Sequence, residues 1–168
     1  MKQITIRPIT EADRPWVETF MADAWGAATS VVRGALFYPH ELPGFVAEQE
    51  GAIIGIATYR QLDAATCELA TLNSLQDGLG IGTTLIQAVA EQAKALGCTR
   101  LLVVTTNDNL HALRFYQRHG FVLHEVRIGA VNEARHTLKP QIPVLGEEGI
   151  PIRDEIELVL PLTSEDAV

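Results

Sequence analysis

The chain has 168 residues, of which 47% are hydrophobic and 20% charged. That is the size and composition of one ordinary folded domain, and it argues against a disordered or fibrous chain. Lys and Arg number 13 against 21 Asp and Glu, a net charge of −8. This balance argues against a nucleic-acid partner, which needs concentrated Lys and Arg to neutralise phosphates, and against an anionic membrane surface. Cys67 and Cys98 form no CxxC pair, and no histidine pair has a metal-helix spacing with carboxylates nearby, so no metal is expected. The first residues carry no apolar signal-peptide core, and no window approaches ~18 apolar residues. A soluble, cytoplasmic chain forming one domain over residues 1–168 is therefore expected.

Residues 3–8 alternate polar and apolar and predict a first strand. Thr10 precedes Glu11, Asp13 and an apolar-periodic run to Trp25, the pattern of a capped helix. Residues 26–43, punctuated by Gly26, Gly34, Pro39 and Pro43, read as a short helix plus a loop. The runs 45–50 and 53–59 are separated by Glu50-Gly51 and predict a hairpin; residues 66–75 predict a further strand. A helix is expected from Gly80 to Leu96, with Ile81, Leu85, Ile86, Val89 and Ala93 on one face and Gly97 as its stop. Residues 100–106 are nearly all β-branched or apolar, as in a strand buried on both faces. A helix over 109–119, a strand over 121–128, a helix over 131–139, a loop over 140–151 and a last strand over 155–161 complete the pattern. The fold class is mixed α/β, antiparallel at first, with a parallel crossover in the middle and flanking helices.

Gly78, Gly80 and Gly82 alternate in the turn before the long helix. Such a turn, opening onto unpaired helix N–H groups, is either an anion site or simply a tight strand-to-helix connection. The P-loop lysine is missing, because Gly82 is followed by Thr83-Thr84. The spacing GxGxG, after several strands, also differs from the dinucleotide fingerprint.

Asp77-Gly-Leu-Gly-Ile-Gly82 resembles the Gln/Arg-x-x-Gly-x-Gly/Ala loop of the GNAT superfamily of acyl-CoA-dependent N-acetyltransferases, apart from Asp77 at its first position. Asn109-Leu-His-Ala112-Leu-Arg-Phe115-Tyr116-Gln-Arg-His-Gly120-Phe121 resembles that family's second block, Asn-x-x-Ala-x-x-Phe-Tyr-x-x-x-Gly-Phe. The resemblance covers residues 3–130, and 131–168 is less standard. It implies that backbone N–H groups around Gly78, Leu79, Gly80, Ile81, Gly82 and Thr83, beside Asp77, hold the pyrophosphate of acetyl-CoA. It implies that the strand at 68–75 splays from the strand at 101–106 to admit the pantetheine arm. A bulge near Leu72 and Asn73 would supply oxyanion-stabilising N–H groups, and Asn109, on the block that includes Ala112, would touch the cofactor arm. Tyr116 would protonate the leaving thiolate.

On that reading the chain transfers acetyl from acetyl-CoA to a primary amine of a small molecule, directly within a ternary complex. The alternatives are a non-catalytic acyl-CoA-binding or sensor module, or acetylation of a peptide or protein amine. Glu68 is either the general base, directly or through water, or a solvent-facing strand residue. Asn73 either orients the acceptor or a water, or satisfies the bulge. Candidate acceptor contacts are Trp25, Arg33, Phe37 and Tyr38, with Arg135, Lys139, Arg153 and Glu155. Arg33 and Arg135 either clamp a carboxylate or are solvated charges. His111 and His119 read as surface residues, and the stretch 140–151 as a lid or a plain connection. Homodimers are common in the resembled family, so a second copy of the chain is among the partners it allows.

Overall fold

The structure is a computed structural model, and it describes residues 3–146 and 148–163. In chain order the elements are β1 (Thr5–Pro8), α1 (Arg14–Trp25), β2 (Ser30–Val32), β3 (Ala35–Phe37), β4 (Gly44–Gln49) and β5 (Ala52–Gln61). They continue as β6 (Thr66–Ser74), α2 (Ile81–Ala95), β7 (Arg100–Thr106), α3 (Leu110–Arg118), β8 (Val122–Arg127), α4 (Ala130–Thr137) and β9 (Glu155–Pro161). Seven strands form one sheet in the order β1-β4-β5-β6-β7-β9-β8, and β2 pairs with β3 alone. Only β6 and β7 are parallel; the other pairings are antiparallel. The expected mixed α/β architecture is therefore present. No helix among the described residues is long and apolar enough to cross a membrane.

Two cores clamp the sheet. The α2 face predicted from the apolar spacing (Ile81, Leu85, Ile86, Val89 and Ala93) is buried against Ala47, Ala57, Leu69, Leu101 and Val103. On the opposite face, Val17 and Met21 of α1 pack on Val46 and Ile56. The last strand does not extend the sheet at its edge. β9 inserts between β7 and β8, pairing Leu101 with Leu160 on one side and Leu123 with Leu158 on the other.

Residues 26–43 correct the expectation of a short helix. They form the β2–β3 hairpin and a 3-10 turn at Pro39–Glu41. Val32 pairs with Ala35, leaving Arg33-Gly34 as a two-residue turn with φ of 51° and 71°. A turn with both central residues left-handed matches strand twist, and it usually carries Asn-Gly or Asp-Gly. Here Arg33 adopts that backbone because its own N–H is donated to both carboxylate oxygens of Glu155, at 3.2 Å each. The contact that selects the hairpin is thus 122 residues away in the chain.

The junction of β1 and α1 is held by Asp13. Its carboxylate accepts from Arg7 Nη1 at 2.7 Å and Nη2 at 3.0 Å, and from the Thr10 N–H and hydroxyl at 2.8 Å each. The Arg7 guanidinium and these bonds hold the Asp13 carboxyl well below the usual carboxylate range. A depressed carboxylate contributes stability above its unfolded value, near ~4, and loses it as pH falls below that. Asp13→Asn should therefore be less stable than the parent at pH 7 by about 2 kcal/mol. The gap should narrow between pH 4 and pH 2 (approximate bounds set by the carboxylate range), read from denaturant midpoints of both proteins across that window.

Candidate active site

The site begins where β6 leaves β7. Their pairing runs from Thr66↔Arg100 to Leu69↔Val103 and stops there, although both strands continue. On its other edge β6 carries one extra residue: Thr58 pairs with Thr71 and Tyr59 with Leu69, so Ala70 is a bulge. A bulge increases local twist and turns a strand away from its neighbour. The resemblance implied a bulge near Leu72 and Asn73; it lies at Ala70 instead. The extra residue also changes which side chains share a face. Glu68 opposes Arg60, Thr71 opposes Thr58, and Asn73 opposes Ile56 of the α1 core, while Leu69 and Leu72 pack in the α2 core. Regular alternation would have put Glu68 and Leu72 together.

Backbone direction follows from the same register. The Leu75 N–H is donated to Ile54 O of β5, and the Tyr59 N–H to Pro43 O on the far side of β5. N–H groups alternate edges along a strand. The Leu72 N–H therefore faces the gap beside β7, and the Asn73 N–H faces β5. Of the two amides expected to polarise a carbonyl, Leu72 alone has the right direction.

The gap opens into a cavity of about 670 Å³ that runs from the glycine loop to α4. At one end lie Gly78, Gly80, Gly82 and Thr83. Gly78 and Gly80 have φ of 76° and 68°, a conformation an L side chain rarely adopts, so glycine is required there for the loop to turn into α2. The first turn of α2 leaves the N–H groups of Ile81, Gly82 and Thr83 without intrahelical partners at the positive end of the helix dipole. Asp77 lines this end and is exposed, so its carboxylate is solvated.

Helix α3 braces the loop. The Phe115 ring lies where a side chain on Gly82 would meet it at 3.1 Å. His119 contacts Phe115 O through Nδ1 at 2.7 Å and the Thr83 hydroxyl through Nε2 at 2.8 Å. His119 is thus a half-buried strut of the loop, not the surface residue expected. His111 is exposed, as expected, yet lines the cavity rim. Asn109 caps α3 by accepting the Ala112 N–H at 3.1 Å, and both residues line the cavity. Tyr116 lines it too, is only 8% exposed, and sits edge-on to Phe115 and Phe121. Burial pushes its phenol well above the ordinary value, so it is protonated at neutral pH. Neither cysteine is on the cavity wall, and burial first, with Cys98 and Glu68 adding, pushes the Cys67 thiol up to about 12.

Glu68 requires a correction as candidate base. It is 1% exposed and accepts from Arg33 Nη2 at 2.7 Å and from Arg60 Nε. Glu155 and Glu157, also buried, are bonded to Arg127 at 2.8 Å and 2.9 Å, and Arg33 reaches Glu157 at 3.4 Å. Three buried carboxylates and three guanidiniums thus form one network under the β2–β3 hairpin, joined at Arg127 by the exposed Glu125 at 3.2 Å, and each Glu68 oxygen is taken by an arginine. The proposed Arg33–Arg135 clamp also fails. Arg33 is inside this network, and Arg135 caps Ile142 O, Pro143 O and Ile152 O and contacts Asn132. Those bonds fasten the stretch after Pro140, which argues for a pinned connection over a lid. Trp25, Lys139 and Glu155 do reach the cavity. Tyr38 is exposed beside His40, Phe37 lies under Arg60, and Arg153 pairs with Asp154, all three off the cavity wall. The apolar wall formed by Val31, Val32, Val131, Ala134, Ile142 and Ile152 carried no signal in the sequence, because its first two members were read as non-strand.

A family model described as the acetyltransferase (GNAT) family matches residues 8–121. The uncharacterized protein YdhI of Bacillus subtilis (strain 168) is 43% identical over 152 residues, covering 90% of this chain and 94% of that protein. Among solved structures, the IAA acetyltransferase from Bacillus cereus ATCC 14579 superposes with a TM-score of 0.72 at 24% identity, covering 95% of this chain and 99% of that one. A GNAT family acetyltransferase from Elizabethkingia anophelis, crystallised with acetyl-CoA bound, superposes with a TM-score of 0.67 at 21% identity, covering 94% and 97%. At these identities the superpositions establish the fold.

Removing one partner from a buried ion network strands the others. Glu68→Gln should therefore lower unfolding free energy by about 3–5 kcal/mol, seen as a shifted urea midpoint with unchanged slope. A base that merely lines a cleft would leave the midpoint nearly in place.

Proposed function

Since the chain belongs to the GNAT family of acetyltransferases, we propose that it moves an acetyl group from acetyl-CoA to the primary amine of a small molecule, directly within a ternary complex. The observation that carries this reading is the cavity through the β6–β7 gap, with a glycine loop at one end and the buried Tyr116 on its wall. A thioester arm lying in that gap passes the Leu72 N–H and Tyr116. The N–H groups of Ile81, Gly82 and Thr83 receive the pyrophosphate, as helix N-termini do. Asp77 stands where the family has Arg or Gln, and its exposure leaves water to screen it from the phosphates.

The acceptor enters from the α1, β2–β3 and α4 side. Its ammonium first loses a proton to water, because Glu68 is committed to Arg33 and Arg60. The free amine nitrogen then bonds to the thioester carbon. Leu72 N–H stabilises the oxyanion, and the carbon–sulfur bond breaks. Tyr116 gives its proton to the departing thiolate and regains one from the amide nitrogen through water. The sum is ammonium plus acetyl-CoA giving N-acetyl amine, coenzyme A and one proton. No cysteine lines the cavity, which supports direct attack over a thioester relay.

Two measurements test this. Acetyl-CoA at about 100-fold above its Kd should add about 2.7 kcal/mol, a Tm rise of about 5–11 °C that NAD and ATP do not reproduce. Tyr116→Phe should lower kcat for thiol release by about 10- to 1000-fold with little change in cofactor affinity. Unchanged turnover would remove Tyr116 from the mechanism. A thermal shift without thiol release for any amine would leave a binding module.

A further inference from the structure

The acceptor half of the cavity holds a buried cation with no counter-charge. Lys139 is 7% exposed and lines the wall, and its Nζ donates one hydrogen bond, to Thr29 O at 2.7 Å. No carboxylate pairs with it among the described residues. An ammonium has three donors, so two are left without a protein acceptor among the described residues. Burial lowers the Lys139 pKa, which is the cost an anionic ligand would remove.

The neighbouring charges do not change this balance. Glu155 is the carboxylate on the acceptor wall, and its oxygens are taken by Arg127 and the Arg33 N–H. The network it belongs to pairs the buried Glu68, Glu155 and Glu157 with Arg33, Arg60 and Arg127, and Arg127 also reaches the exposed Glu125, which is off the cavity wall. Asp77 and His111 lie on the wall at the glycine-loop end. Of the charged side chains on the acceptor wall, Glu155 is paired and Lys139 has no opposite charge bonded to it among the described residues.

A second, independent feature is Asn73. Its Oδ1 is buried and has no hydrogen-bond partner among the described residues, and Asn73 lines the same cavity beside the bulge. A buried carbonyl oxygen without a donor is costly, and such sites are commonly completed by a ligand or a water. Apart from Ser30, the remaining acceptor wall is apolar: Trp25, Val31, Val32, Val131, Ile142 and Ile152.

Building on the acetyl-transfer reading, we propose that the acceptor is an amino acid with an apolar side chain. Its carboxylate pairs with Lys139 Nζ, its amine N–H is donated to Asn73 Oδ1, and its side chain lies against Trp25 and the valines. Lys139 and Asn73 thus select for an acceptor that carries both groups. A simple amine leaves Lys139 unpaired, and a cationic polyamine meets a like charge.

The test compares leucine, methionine and phenylalanine with their carboxamides and their decarboxylated amines. Each is titrated calorimetrically into protein saturated with coenzyme A, and each is assayed for thiol release with acetyl-CoA. The acids should bind about 10- to 100-fold more tightly than either neutralised form, the range of one charge-assisted hydrogen bond in a cavity. Lys139→Met should erase that preference and Lys139→Arg should keep most of it. If Lys139→Met fails to fold, the parent's ligand series and Lys139→Arg still decide. Equal binding of acid, amide and amine, equal weakening of all three in Lys139→Met, or binding of none overturns the proposal. Acids that bind selectively but release no thiol uphold the carboxylate site and overturn acetyl transfer. Thiol release at equal rates from all three forms does the reverse.

Discussion

The parting of β6 from β7 after Leu69↔Val103 is the constraint on which the rest of the structure depends. Two parallel strands in the middle of a sheet normally pair along their whole shared length, because an unpaired buried N–H or C=O is costly. Here both strands run on, apart, with the Ala70 bulge twisting β6 outward. β7 keeps its other edge paired along its whole length by β9, from Arg100↔Pro161 to Thr106↔Glu155. That insertion lets one edge of β7 be opened while the sheet stays continuous. The opened edges give the cavity its backbone N–H groups, and α3 with its Asn109 cap closes one side.

The bulge does a second job through parity. By adding one residue it puts Glu68, Thr71 and Asn73 on the face shared with Arg60, Thr58 and Ile56. Glu68 then joins Glu155 and Glu157 under the β2–β3 hairpin, where Arg33, Arg60 and Arg127 neutralise them. Buried carboxylates of this kind are tolerated only when paired and hydrogen-bonded. The pairing consumes the groups that would otherwise have been obvious general bases or acceptor clamps. The groups left for the proposed transfer are few: the Leu72 N–H, the Tyr116 phenol, the Asn73 amide and the Lys139 ammonium.

The cofactor end and the acceptor end were unequally legible. The loop, the α2 face and α3 are local in sequence, and their glycines, apolar spacing and cap residues act within a few positions of one another. Asn109, Gly78, Gly80, Gly82 and Tyr116 therefore arrive in the cavity as the sequence predicts. His119 was misread because its partner, Thr83, is on another helix. The acceptor end is assembled from segments over a hundred residues apart, such as Thr29 with Lys139 and Arg33 with Glu155. Lys139 and Arg135 look alike in the sequence, two cations near the end of one helix. Arg135 spends its donors on three backbone carbonyls and Asn132 Oδ1, whereas Lys139 makes a single hydrogen bond, to Thr29 O.

By itself the sequence determined the α/β class, the strand boundaries around Glu50-Gly51 and Thr66, the long amphipathic helix, and the glycine loop with its Asn109 to Phe121 block. All of these follow from short-range periodicity, turn chemistry and capping. Tertiary structure alone decided that 26–43 is a hairpin, that the bulge is at Ala70, that β9 enters the sheet interior, and that Glu68 is an ion-pair partner. Those outcomes depend on contacts between distant residues, where burial makes a charge seek its partner, and no local pattern encodes which partner lies within reach.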